Sequence, residues 1–138
     1  MIVEVDTGSA VPAYEQIRSQ IETMVATGVL APGTGLPPIR QLAADLGLAV
    51  NTVARAYREL EGAGLVRSRV RHGTVVAPLT RPRLPRRDVR DRLDAAAAAF
   101  ALACQQLGVP DAEALAAVRR HLGRPGQAAD GQRLDGSI

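Results

Sequence analysis

The segment AVNTVARAYRELEGAGLV, residues 49–66, carries polar side chains that can pair with nucleic-acid bases at helical spacing. At 3.6 residues per turn, Asn51, Arg55 and Arg58 fall on one side of a helix and Val53 falls on the other. Asparagine pairs in a two-pronged way with adenine and arginine with guanine, and each such pair discriminates by roughly 1–3 kcal/mol. The spacing therefore indicates a short helix that presents Asn51, Thr52 and Arg55 to a major groove, with Arg58 nearer the phosphates.

A second interpretation of the same helix involves no nucleic acid. Asn51 could serve only as a helix cap, because its side chain can accept a hydrogen bond from a free backbone amide. Arg55 and Arg58 could form a solvated face that pairs with Glu59 or Glu61, since exposed charge is common in proteins. The flanking segments shift the balance towards binding, because they bring further basic residues to the same side.

Two helices are expected to precede this one and to support it. Pro12 opens the first, its apolar residues recur at helical spacing, and Gly28 lies where a C-terminal glycine belongs. The second begins at Pro38, carries Arg40 in its first turn and stops at Gly47. Asn51 is expected to cap the third helix. Two helices joined by so tight a glycine turn are typical of a helix-turn-helix, whose first helix crosses the DNA backbone.

A hairpin is expected to follow the third helix, which Gly62 and Gly64 end. LVRSR and TVVA alternate enough for two strands, and VRHG between them supplies a tip with its glycine. The hairpin would bring Arg69, Arg71 and His72 to the DNA, and Gly73 would let backbone approach closely. The fold class predicted for 1–77 is a mainly α winged helix-turn-helix with a small β wing. The opening residues IVEV also suggest a short strand.

The chain changes character after residue 77. Prolines and arginines in PLTRPRLPRR predict a stiff linker over 78–87. Residues 88–123 predict two helices that serve for dimerisation, and 124–138 predict a disordered tail. The alternative for the two helices is that they fold back on the winged domain of their own chain. The predicted dimerisation residues are Val89, Leu93, Ala96, Phe100, Ala103, Leu107, Leu115 and Val118.

The charge distribution favours a polyanion as the partner. The formal net charge is +3, and all 17 basic residues are arginine, a usage that a GC-rich genome also produces. Nine of the 17 lie between Arg67 and Arg92, against two acidic residues, and such clustering is the electrostatic footprint of nucleic-acid binding. The longest apolar run has ten residues, about half of the ~20 that span a bilayer, and the start has no basic leader. We therefore expect a cytoplasmic protein with no membrane segment.

Catalytic and metal-binding patterns are missing from the sequence. It contains no His-Glu-x-x-His, no phosphate-binding loop and no Ser-His-Asp candidate, and two histidines with one cysteine are too scattered for a metal site. We expect neither an enzyme nor a bound cofactor. Cys104 is expected to act as a small apolar side chain, with a redox role as the alternative.

These residues resemble the DNA-binding domain of the GntR family of bacterial transcription regulators. The resemblance is carried by PAYEQIRSQIETMVATGVLAPGTGLPPIRQLAADLGLAVNTVARAYRELEGAGLV and by RHGTVVA, about 65 residues in all. AVNTVARAYRELE followed by a short C-terminal region is similar to the YtrA-type subfamily, whose members dimerise through two helices. The resemblance implies DNA contacts at Arg40, Asn51, Thr52, His72 and Gly73.

The sequence departs from the family pattern in three respects. Pro38 stands where the family usually has a serine that caps the second helix, so this cap must come from elsewhere. Ala49 and Val50 replace residues that are often polar, and they offer apolar contact to thymine methyl groups. Arg71 stands where the wing commonly has a glycine, which adds charge and puts the turn in question. The DNA-contacting set predicted from residues and resemblance together is Arg40, Ala49, Val50, Asn51, Thr52, Arg55, Arg58, Arg69, Arg71, His72 and Gly73.

The function predicted from the sequence is a dimeric, sequence-specific repressor on double-stranded DNA with an inverted-repeat operator. Its operator, target genes and any small-molecule effector stay open. The alternative is a winged-helix adaptor that binds protein or RNA without reading DNA sequence.

Overall fold

The computed structural model of the protein describes residues 1–78 and 84–123, and the chain divides into two compact units, Met1–Leu84 and Pro85–Ile138. No helix in these described ranges combines the length and apolar character needed to cross a membrane. The elements in chain order are α1 (Ala13–Thr27), α2 (Ile39–Leu46), α3 (Val50–Gly62), β1 (Val66–Arg69), β2 (Gly73–Val76), α4 (Arg86–Leu107) and α5 (Asp111–Leu122).

The first unit is built around α3, which packs against α1, α2 and β1. The apolar residues of α3 are buried, and so are Ile17 and Ile21 of α1. Ile17 and Ile21 can be buried together because residues four apart lie on the same face of a helix. No polar side chain of the described residues is buried, so the core is purely aliphatic apart from Tyr57. The buried core comprises Ile17, Ile21, Val25, Leu30, Leu36, Leu42, Ala43, Val53, Ala56, Tyr57, Leu60, Leu65, Val66 and Val76.

The wing is an antiparallel hairpin that a third segment supports. β1 and β2 pair in the register Val66 with Val76 and Arg69 with Gly73. The loop 33–36 lies along the other edge of β2: the Leu36 amide donates to the Thr74 carbonyl and the Val76 amide to the Thr34 carbonyl, both at 2.8 Å. Three helices followed by this hairpin make a winged helix-turn-helix, as the sequence predicts.

The helix-turn-helix corner is made by Gly47, whose φ of 67° is left-handed, a conformation that costs glycine little. The expected cap at Asn51 is wrong. α3 begins at Val50, with Ala49 as its N-cap and no side-chain cap, so that Asn51 lies inside the first turn. α2 likewise starts after Pro38 without a side-chain cap, so no other side chain replaces the missing serine. The Asn51 side chain is therefore not used to cap the N-terminus of α3.

The expected strand over residues 2–5 is also wrong. That segment forms no strand, and glutamine side chains of α1 bond to the backbone of this N-terminal region instead. The Gln20 side chain accepts from the Glu4 amide and donates to the Glu4 carbonyl, at 3.0 and 2.6 Å. Gln16 makes the same pair of bonds with Asp6. Side-chain amides four residues apart on one helix thus replace a neighbouring strand.

The second unit contains α4 and α5, joined at Gly108 and Pro110. Acidic residues occupy the first turn of α5, and Arg119, Arg120 and His121 its last, which suits the helix dipole. Neither helix buries any residue. Leu93 is 65% exposed and Leu107 77% exposed, so this unit presents its apolar side chains to solvent. The predictions for the linker between 79 and 83 and for the tail from 124 lie outside the described residues.

One hydrogen bond fastens α3 to the loop before α2. Tyr57 is 4% exposed, and its hydroxyl donates to the Pro37 carbonyl at 2.6 Å. Burial raises the pKa of Tyr57 from 10.0 to about 12, because the phenolate would lose its hydration. The protonated hydroxyl is therefore part of the folded state.

Replacing Tyr57 by phenylalanine should change both stability and its dependence on pH. The lost hydrogen bond should cost about 1 kcal/mol at neutral pH. In the parent chain the unfolded state ionises near pH 10.0 and the folded state only near 12, so the free energy of unfolding should fall across that window. The slope should approach about 1.4 kcal/mol per pH unit there, and Tyr57→Phe should remove this contribution.

Urea unfolding followed by circular dichroism between pH 8 and pH 12 measures both effects. The chain has no lysine, so few groups ionise in this range. Tyr14→Phe is the control, because it leaves Tyr57 in place. Equal pH slopes for the two variants would contradict the assignment.

Candidate nucleic-acid interface

The two faces of α3 separate as the spacing predicts. Val53, Ala56, Tyr57 and Leu60 are buried against the core. On the other side Asn51, Arg55 and Arg58 are exposed, and so are Ala49 and Val50 at the helix start, whereas Thr52 is half-buried. The first turn of α3 therefore offers an amide, a hydroxyl and two small apolar groups beside one another.

The basic side chains around α3 have no acidic partner within the described ranges. Arg40, Arg55, Arg58, Arg69 and Arg71 form no ion pair or side-chain hydrogen bond there. The alternative in which Arg55 and Arg58 pair with Glu59 or Glu61 is therefore wrong. Glu61 instead accepts a long hydrogen bond from the Ser68 amide, at 3.4 Å.

Arg18 on α1 shows the contrast. Its guanidinium bridges Glu15 and Glu22, three and four residues away, and the Nε–Oε2 distance to Glu15 is 2.9 Å. The hydrogen bond from Arg18 lowers the pKa of Glu15, and the two carboxylates raise that of Arg18. The positive charge of Arg18 is thus neutralised on α1, whereas the charges near α3 remain available to an external anion.

A groove brings the start of α2 and the tip of the wing together. It has a volume of about 520 Å³, and it is lined by the guanidinium-bearing residues Arg40 from α2 and Arg71 from the wing, together with the His72 imidazole. Pairing of the loop 33–36 with β2 fixes this proximity, since the same loop leads directly into α2. The residues that carry these two guanidinium groups line the same groove, and a guanidinium group is a strong hydrogen-bond donor to phosphate. Its lining residues are Leu36, Pro38, Ile39, Arg40, Arg71, His72, Gly73 and Thr74.

Arg71 holds the wing turn in a conformation that usually belongs to glycine. Its φ is 72°, the only positive value of a non-glycine residue in the described ranges. The His72 amide donates to the Arg69 carbonyl at 3.1 Å and closes the turn. Gly73 follows with φ 68°, and a Cβ there would meet no atom within 4 Å. The turn that the sequence put in question thus forms, at the cost of strain at Arg71.

Arg55 does not extend freely into solvent but lies over an aromatic ring. The guanidinium carbon of Arg55 is 3.7 Å from the centre of the Tyr14 ring, at the start of α1. Tyr14 packs against the core with the apolar residues of α1, and their helical spacing does not predict this contact. Forty-one positions separate the two residues, and spacing within either helix carries no information about a contact between helices.

The predicted dimerisation residues belong to α4 and α5 of the second unit. Leu93, Ala96, Phe100, Ala103, Leu107 and Leu115 are exposed, and Val89 and Val118 are half-buried. Phe100 and Leu115 line one groove of about 290 Å³ together with Cys104, which is half-buried. No group of histidine, cysteine and acidic residues that could hold a metal ion occurs in the part of the chain that the structure describes.

Comparisons with known proteins agree with the geometry of the first unit. Residues 13–76 match the family model described as bacterial regulatory proteins, gntR family. HTH-type transcriptional regulator Rv1152 of Mycobacterium tuberculosis is 49% identical over 75 residues, which cover 54% of this chain and 62% of that protein. HTH-type transcriptional repressor YtrA of Bacillus subtilis is 36% identical over 76 residues, covering 55% and 58%. The chain thus spans about 60% of the length of these curated relatives.

The similarity to one solved structure covers nearly the whole length of that relative. YtrA from Sulfolobus acidocaldarius, a GntR-family transcription factor, superposes with a TM-score of 0.53 and 35% identity. The match covers 71% of this chain and 99% of that one. Because it is 35% identical to a GntR-family transcription factor that it covers almost entirely, and because residues 13–76 match the family model, the chain belongs to the GntR family of bacterial regulatory proteins.

Proposed function

We propose that the chain is a cytoplasmic, sequence-specific transcription regulator that represses a promoter as a homodimer bound to an inverted-repeat operator. The observation that carries the proposal is the exposed polar first turn of α3 beside five arginines that have no carboxylate partner among the described residues. A polyanion supplies the negative charge that these guanidinium groups lack there. Similarity to an HTH-type transcriptional regulator and to an HTH-type transcriptional repressor supports the regulatory role.

The position of each residue in the interface determines whether it contacts bases or phosphates. α3 enters a major groove with its N-terminal end, where Asn51 and Arg55 pair with base edges and Val50 contacts thymine methyl groups. Arg40 and Arg71, which line the groove between α2 and the wing, bind phosphates. Arg69 and His72 add positive charge or hydrogen bonding at the wing. Phosphate contacts set the register on the duplex, whereas the base contacts select its sequence.

A second copy of the chain is the partner that the C-terminal unit fits best. α4 and α5 bury none of their residues, yet they carry leucines and a phenylalanine along one seam. Apolar surface gains roughly 25 cal/mol per Å² when it leaves water. The alanines of α4 allow close helix approach, and pairing about a twofold axis covers both seams at once. Such a dimer presents two α3 helices to half-sites about one helical turn apart.

Base reading is tested by comparing two arginines of α3. Selection of duplexes from a random pool should enrich an inverted repeat. On that duplex Arg55→Ala should cost about 1–3 kcal/mol of binding and relax one base position. Arg58→Ala is the matched control: it should weaken every duplex alike and reduce the salt slope by about 1. Enrichment of no sequence, with equal losses on all duplexes, would instead favour an adaptor.

A substitution at Arg71 in the wing turn should change the stability of the fold and the affinity for DNA in opposite directions. Arg71→Gly should relieve the positive φ and raise the free energy of unfolding by about 0.5–1 kcal/mol. The same change removes a phosphate contact, so DNA affinity should fall and the slope of log affinity against log salt should lose about 0.9. Thermal melts and salt titrations of binding measure the two effects.

Arg71→Ala serves as the control for this pair of effects. It removes the charge but keeps a side chain at a φ of 72°, so it should lose affinity without gaining stability. An affinity for Arg71→Gly equal to that of the parent chain would place the wing away from DNA.

Dimerisation is tested on α4. Phe100→Glu puts a charge on the proposed seam and should shift the protein to monomers in sedimentation velocity at micromolar concentration, with a loss of operator affinity of at least about tenfold. Ala98→Glu is the control, because residues two apart face opposite sides of a helix. A parent chain that sediments as a monomer at high concentration would contradict the dimer.

A further inference from the structure

The stacking of Arg55 on Tyr14 gives the base-reading arginine a fixed platform. We propose that Tyr14 is a positioning residue for DNA reading, which holds the Arg55 guanidinium flat on its ring and thereby sets the base selectivity of α3. The inference rests on the proposed function, since it assigns to α1 a role in the reading that α3 performs. Tyr14 itself contacts Arg55 and no base.

The contact leaves the reading groups of Arg55 free. A guanidinium that stacks uses its face, because the negative face of an aromatic ring attracts the cation. Its five N–H donors point outward in the plane of the group, and no protein group of the described residues accepts a hydrogen bond from them. With its carbon 3.7 Å from the ring centre, Arg55 is held and remains able to pair with two acceptors of one base.

Tyr14 is itself held in place, as a platform must be. It is half-buried and packs against the aliphatic core of the first unit, on the helix next to α3. Its hydroxyl makes no hydrogen bond within the described ranges. The aromatic ring, not the hydroxyl, is therefore the part of Tyr14 that acts on Arg55.

Immobilisation explains why a platform improves selectivity. A free arginine side chain loses considerable rotamer freedom when it docks on a base, and it can also settle on a neighbouring base or phosphate. A side chain already confined on a ring loses less on binding and reaches fewer alternative partners. Arg58, one turn along α3, has no ring beneath it in the described structure, which suits a phosphate contact with no directional demand.

A double-mutant cycle on the duplex selected from a random pool tests the assignment. Tyr14→Leu, which keeps an apolar side chain but removes the ring, should weaken that duplex about three- to tenfold and relax the base position that Arg55→Ala relaxes. Tyr14→Phe should bind as the parent chain does, because the ring is kept. In an Arg55→Ala background Tyr14→Leu should have no further effect, whereas in an Arg58→Ala background its effect should persist in full.

Two measurements separate positioning from simple support of the fold. Circular dichroism melts give the folded fraction of each variant at the binding temperature, and affinities are compared at full folding. Proton NMR of the DNA-free protein reports the stacking directly: the Arg55 side-chain protons should be shifted upfield by the ring in the parent and in Tyr14→Phe, but not in Tyr14→Leu.

The outcomes distinguish this inference from the proposed function. Specific binding in which Tyr14→Leu weakens the duplex equally with and without Arg55 would overturn the inference and leave the proposed function standing. Equal losses for Tyr14→Phe and Tyr14→Leu, or no ring shift at Arg55, would do the same. A parent chain that enriches no sequence would overturn the proposed function and this inference with it.

Discussion

Burial of one face of α3 is the constraint on which the rest of the first unit depends. Val53, Ala56, Tyr57 and Leu60 must leave water together, and α1, α2 and β1 supply the surfaces that cover them. A helix cannot rotate about its axis without exposing such a stripe. The same packing that gives the unit its core therefore turns Asn51, Arg55 and Arg58 outward. The orientation of the interface is thus set by hydrophobic burial, before any ligand is present.

Much of this architecture could be predicted because its signals are local. The 3.6-residue spacing of apolar residues predicted the five helices of the described residues, and glycines predicted where the first three of them end. The hairpin followed from alternation on either side of VRHG. Even the departure at Arg71 was visible in advance as a position that wants glycine, although the sequence could not show that the turn forms around arginine with φ 72°.

The parts that sequence reasoning missed depend on contacts between distant segments. A run of β-branched residues at 2–5 suggests a strand, but a strand needs a partner, and here Gln16 and Gln20 take its place. Asn51 has the chemistry of a cap, yet the position of Gly47 and the packing of α3 let the helix begin before it. The stack of Arg55 on Tyr14 has no signature within either helix. In each case the residue types were compatible with the predicted local structure, but contacts with a distant segment decided which structure forms.

The pairing of the loop 33–36 with β2 has a consequence for how such proteins can be recombined. Because that loop forms one edge of the wing sheet and runs straight into α2, the hairpin 66–76 is not a separate module. A hairpin grafted from another regulator would keep the backbone hydrogen bonds to Thr34 and Leu36 only if its second strand met the loop in the same register. A wing transferred between proteins would therefore have to include both the loop 33–36 and the hairpin 66–76. Sequence changes in the wing are constrained by the loop that precedes α2.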